Sequence, residues 1–169
     1  GETKVIETRD FSGEGDVALE EATIETAEDG ASVLRSSEGV VRGHGSLGVQ
    51  PEDGRWWLGF FEEEALKGSQ VRDVNRDGQT TDRFAVVAFV PADGGEAQAV
   101  IDLDGNGTLQ GESPMASYRV NRRWFHFPNP DPREDQTPVA FTQTVVLDTP
   151  GEEKVELHFD DGGHGTHCA

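Results

Sequence analysis

The sequence predicts a mainly β protein, a β-rich α+β fold made of antiparallel hairpins with little helix. Three observations carry this prediction. Apolar residues alternate with polar ones in short runs, the period of a strand with one buried face. Clusters rich in Gly, Asp and Pro bound those runs, and 21 glycines with 8 prolines supply many turns. The connections are of hairpin length, which favours antiparallel pairing.

Taken in order, residues 3–8 hold Val5 and Ile6 and read as a short strand. After the turn cluster at 11–16, residues 17–27 carry Val17, Leu19, Ala22 and Ile24 between acids. An acidic amphipathic helix is the alternative there. A strand is preferred because Glu28-Asp29-Gly30 leads into residues 31–34, giving a hairpin at 17–34. His44 stands in a Gly-rich loop at 39–48 and is expected to be solvated. Trp56, Trp57, Leu58, Phe60 and Phe61 read as a core strand with aromatic anchors. One helical turn is expected at 62–67. Further hairpins are expected at 84–101 and 139–159. Between them, residues 115–127 set Tyr118, Trp124, Phe125 and Phe127 among Arg119, Arg122 and Arg123, read as core aromatics beside arginines that pair with local acids. Residues 129–138 hold three prolines, with Pro128 just before them, and read as an extended loop.

Lys and Arg number 14 against 33 Asp and Glu, a net charge of −19. That argues against nucleic acid or an anionic membrane surface as partner and leaves cation binding open. Residues 1–30 alone hold ten acids and two bases. One Cys allows no internal disulfide. No apolar run approaches the length of a membrane span, and no signal-peptide pattern is seen.

Two matched loops flank the hairpin at 84–101. The first offers Asp73, Asn75, Asp77 and Gln79, with Gly78 at its turn; the second offers Asp102, Asp104, Asn106 and Thr108, with Gly107. In such Asp-x-Asx-x-Asx-Gly loops the side-chain oxygens at positions 1, 3 and 5 converge, and the carbonyl at 7 points inward. Ca²⁺ takes about six to eight oxygens. The bidentate Glu of position 12 is missing, since Phe84 and Ser113 stand there; Asp82 and Glu112 are the candidates to replace it. The alternative is a pair of Asx-rich turns that satisfy their own backbone.

The last residues, Gly163-His164-Gly165-Thr166-His167-Cys168-Ala169, resemble the catalytic-His motif of the subtilisin-like serine peptidases. The resemblance implies that His164 is the catalytic base, with His167 one turn on as a supporting residue. Weaker similarity runs through most of the chain. Lys4–Glu7, Ser12–Val17, Trp57-Leu58-Gly59, Val100-Ile101-Asp102 and Tyr118-Arg119 look like the long insertion that tripeptidyl peptidase II and its relatives carry between catalytic Asp and His. Residues 68–82 depart from that pattern, being short and Asp-rich where animal members have a long polar segment. The expectation is thus a β-rich insertion domain at 1–159 within an α/β peptidase, followed at 160–169 by the truncated start of the catalytic-His segment. The intact parent would hydrolyse peptide bonds, with peptides or proteins as substrates and the rest of the subtilase domain as partner; a homo-oligomer is also possible. The triad Asp is expected upstream of Gly1 and the Ser beyond Ala169, so this chain alone should be inactive. Asp102 ends an apolar strand, but Leu103-Asp104-Gly105 departs from the family's Asp motif, and Asp10 fits less well still. The competing reading is a non-enzymatic, calcium-stabilised β module.

Overall fold

The computed structural model describes residues 13–130 and 138–160. Within them the chain is mainly β. In order come β1 Asp16–Ala18, β2 Glu20–Thr26, β3 Ser32–Arg35, β4 Val40–Arg42, β5 Trp56–Glu62, β6 Arg83–Phe89, β7 Gln98–Ile101 and β8 Met115–Ala116; a helical turn, α1 Tyr118–Asn121, precedes β9 Phe141–Val146 and β10 Lys154–Phe159. A seven-stranded sheet has the order β4-β3-β2-β5-β6-β7-β8, and a three-stranded sheet the order β1-β10-β9. Pairing between these strands is antiparallel throughout.

The central strands are buried on both faces, which explains their apolar runs. Trp57, Phe61, Phe84, Val86, Ala88, Ala99 and Ile101 face one cluster, completed by Val17, Phe141, Val155 and Leu157 of the three-stranded sheet. The alternate residues Trp56, Leu58, Ala85, Val87, Phe89 and Val100 face a second cluster, completed by Leu34, Val41 and Leu109. β2 makes this second layer possible. Its first half pairs with β5 and its second half with β3, so the sheet turns there and β3–β4 fold back. The returning edge then meets the chain after β7. Arg42 N–H donates to the Gly107 carbonyl at 3.0 Å, and Leu109 N–H donates to the Arg42 carbonyl at 2.9 Å.

The hairpins expected at 84–101 and 139–159 stand as β6–β7 and β9–β10, and Glu63–Leu66 forms the single turn expected after β5, as a 3-10 helix. The hairpin expected at 17–34 stands as β2–β3, but it begins later than expected. Its first strand breaks at Leu19: β1 joins β10, and only β2 pairs with β3. Two contacts fix the break. Leu19 N–H donates to the Glu153 carbonyl at 2.9 Å. The Ala18 carbonyl lies against Gly59, where a Cβ would stand 2.1 Å from its oxygen. The same tight approach recurs at Gly15, whose carbonyl accepts the Leu157 N–H at 2.9 Å.

Two further expectations change. His44 is not solvated: it is 8% exposed, and its ring meets Trp56 edge-on at 5.7 Å. A 3-10 turn between left-handed Gly43 and Gly48 tucks it inward. Phe125 and Phe127 are core residues, as expected, but Trp124 is 60% exposed. Strand alternation explains this, because Phe125 pairs with Phe141 and so points its neighbour outward. The strand expected at 3–8 and Asp10 lie outside the described residues, as does most of the proline-rich loop.

Candidate metal centre

The two Asp-rich loops enter and leave the β6–β7 hairpin, so both lie at one end of the sheet. Their hydrogen bonds repeat atom for atom. In the first, the Asp73 carboxylate accepts from Asp77 N–H at 3.1 Å and Gly78 N–H at 2.8 Å. Asn75 Oδ1 accepts from Asp77 N–H at 3.0 Å, and Asp77 Oδ1 from Gln79 N–H at 2.7 Å. In the second, the Asp102 carboxylate accepts from Asn106 N–H at 3.2 Å and Gly107 N–H at 2.7 Å. Asp104 Oδ1 accepts from Asn106 N–H at 3.2 Å, and Asn106 Oδ1 from Thr108 N–H at 2.9 Å. Short polar side chains that bond forward to the backbone thus bend each loop the same way.

A glutamate completes each loop by accepting the N–H at position 2. In the second loop it is Glu112, whose Oε1 accepts from Leu103 N–H at 3.2 Å. In the first it is Glu63, 1% exposed, which accepts from Val74 N–H at 2.7 Å and Asp82 N–H at 3.1 Å. Asp82 instead accepts from the Asn75 amide at 2.7 Å. Glu63 is the residue that the reading of the sequence missed. It precedes its loop instead of following it, so spacing within the loop gives no sign of it. The signal is the strand period: Trp57 and Phe61 face the inner cluster, and Glu63 continues their parity.

The second loop draws its acids together. Carboxylate oxygens of Asp102, Asp104 and Glu112 lie within 4.8 Å of one another. Among the described residues this is the one group of three such acids, and it can hold a metal ion. Asp102 is 2% exposed. Burial pushes its carboxyl up to about 6, opposed by the Gly107 N–H and reinforced by Asp104. Burial also raises Glu112, with Asp104 and Asp102 adding repulsion. Glu63 is raised for the same reason, against the pull of its two N–H donors and with Asp82 and Asp73 adding repulsion. A cation among these oxygens would relieve both the repulsion and the burial cost. A cleft of about 590 Å³ separates the loops, lined by Asn75, Asp77, Asp82, Asp104 and Phe84 among others.

The structure therefore places the sequence-predicted ligands in two groups. Asp102, Asp104 and Glu112 converge, with Asn106 and Thr108 in the same turn. Asp73, Asn75, Asp77 and Gln79 form the matching turn around Glu63, and there the carboxylates do not form a comparable three-acid cluster. Asp102 is tied into its loop by backbone donors, in keeping with a ligand role. His164 and the whole motif at 163–169 lie outside the described residues. Within the described residues a hydroxyl, an imidazole and a carboxylate do meet on β9 and β10. Thr144 Oγ1 is 3.0 Å from His158 Nε2, and Glu156 Oε2 is 3.8 Å from that same nitrogen. A hydrolytic triad needs the acid on the other ring nitrogen, so this is not one.

Comparisons with protein-family models, with curated proteins and with solved structures find no match to this chain.

Proposed function

We propose that this chain is the β-rich domain between the catalytic Asp and the catalytic His of a subtilisin-like serine peptidase, stabilised by calcium in its Asp-rich loops. The observation that carries the peptidase reading is the sequence Gly163-His164-Gly165-Thr166-His167-Cys168-Ala169. In the parent enzyme a Ser attacks the peptide carbonyl. His164 takes its proton and passes it to the leaving amine, while an Asp holds the imidazole in the required tautomer. Nucleophile and Asp belong, in this reading, to flanking sequence. Peptides or proteins are then the substrates, and the rest of the peptidase domain is the partner.

Calcium is the cation that suits the donors. Asp102, Asp104, Asn106 and Glu112 offer hard side-chain oxygens and Thr108 a carbonyl, in a turn able to adapt to high coordination. Glu63, Asp73, Asn75, Asp77 and Gln79 would form a weaker second site, having fewer converging carboxylates. The converging group at Asp102 also supports the second reading, a calcium-stabilised β module without catalysis.

The test begins with the flanking coding sequence. The peptidase reading requires an apolar strand ending Asp-Thr/Ser-Gly upstream and a Gly-Thr-Ser nucleophile turn downstream. The extended protein should label with a fluorophosphonate, and His164→Ala should abolish that labelling. The 169-residue chain should neither label nor hydrolyse peptide esters. Labelling of the short chain, or full labelling of the extended His164→Ala variant, would sink the proposal.

A further inference from the structure

The acidity of this protein is interrupted longest at one place. Residues 113–130 contain Arg119, Arg122 and Arg123 and not one Asp or Glu, in a chain of net charge −19. At the same place the structure exposes apolar surface. Trp124 is 60% and Val120 47% exposed, two of the three large hydrophobic side chains so exposed among the described residues. His126 is also exposed, with its ring 6.2 Å from that of Trp124.

Arg119 and Arg123 have little of their charge engaged among the described residues. The Arg123 side chain makes no ion pair among the described residues. Arg119 reaches Glu96 at 3.4 Å, with both groups more than half exposed, a pair worth little in water. Arg122 holds left-handed backbone at φ 57°, and its N–H closes α1 on the Tyr118 carbonyl. The neighbouring Phe125 and Phe127 are anchored in the core, so the exposed side chains rise from a fixed base.

We propose that Arg119, Arg123, Val120 and Trp124 form a docking surface for an acidic polypeptide segment that carries an apolar side chain. Indole and guanidinium are the groups most enriched at the energetic centres of protein interfaces. Charge complementarity selects the partner: arginines interleaved in sequence with exposed apolar side chains fit carboxylates flanking a Leu or Phe. A nucleic acid fits less well. Its charge continues along its length, and beyond this patch it would run over the acidic remainder of the surface.

Binding of a synthetic peptide with Leu-Phe between Glu triplets, to the full chain at low salt, tests this. The expected result is saturable binding with a blue shift of tryptophan emission, since Trp56 and Trp57 are already buried. Affinity should fall about tenfold or more in Trp124→Ala and in Arg119→Glu/Arg123→Glu, and with the Glu→Gln peptide. Circular dichroism checks that the surface variants fold. The proposal is overturned by absence of binding up to about 1 mM peptide, or by affinities that the variants leave unchanged. It is equally overturned if a single-stranded DNA of equal charge binds more tightly, or if sedimentation shows self-association through this face in place of peptide binding.

Discussion

Position three of the first loop is Asn75, and the equivalent residue of the second is Asp104. That single charge bears on the raised carboxyl of Asp102. Asp104→Asn copies the first loop, so the turn should survive. The Asp102 carboxyl should then fall toward its ordinary value, read by NMR titration, and calcium should bind more weakly, read by calorimetry. The sign for stability is opposite. An acid whose folded pKa is raised binds more protons folded than unfolded, so the ion-free protein loses stability as pH rises from about 4 to about 6. Relieving the repulsion should therefore stabilise ion-free protein at pH 7, by about 1 kcal/mol at most at this exposed position. His44 gives a second residue-scale prediction. Burial lowers its pKa, and among the described residues its Nδ1 has no hydrogen-bond partner. The unfolded state therefore binds more protons below pH 6.5, and the contribution of neutral His44 is lost as pH falls through that window. Urea midpoints for wild type and His44→Phe should converge, or cross in favour of the variant, between pH 7.5 and 5.5; a constant difference would exclude this role. The two Asp-rich turns were legible in the sequence because each of their residues bonds to backbone within a few positions. Glu63 and buried His44 were not, because each owes its surroundings to strands far away in the chain.

At the scale of elements, the local hairpins were legible, β2–β3 among them, and the break before β2 was not. β6–β7 and β9–β10 are local hairpins whose alternation and turns are written in consecutive residues. The break between β1 and β2 depends on Glu153 and Gly59, both remote from Leu19, so no local pattern marks it. Nor does any pattern mark the return of β4 to residues 107–109. Gly59→Ala tests the crossing of the two sheets. Its methyl would meet the Ala18 carbonyl, which is backbone and cannot rotate away. The expected loss is about 3 kcal/mol, seen as a lower urea midpoint, and the β1–β10 amides should lose hydrogen-exchange protection before those of β6. Uniform loss of protection would mean that the sheets are not separately secured at this point. Phe84 offers a contrast. It is buried in the inner cluster and packs beneath Gly105 of the second loop. Phe84→Ala should cost about 3–5 kcal/mol and also weaken calcium binding, because the loop loses its floor.

Over the whole molecule, the charge of −19 sets what cations should do. Salt alone screens the self-repulsion and raises stability modestly. A specific site adds to that by mass action. At about a hundredfold excess over Kd the gain is about 2.7 kcal/mol, or roughly 5–10 °C in Tm for a chain of this size. CaCl2 should therefore raise Tm beyond NaCl or MgCl2 at equal ionic strength, and chelator should remove the difference; equal shifts for all three salts would leave screening as the whole effect. One more property follows from the place of β1. Its partner is β10, with Val17 opposite Val155 and the Gly15 carbonyl on the Leu157 N–H. Among the described residues the first and last strands thus lie side by side, about 5 Å apart. A larger protein would meet it as a loop already closed at its base, paying little entropy to hold the ends together.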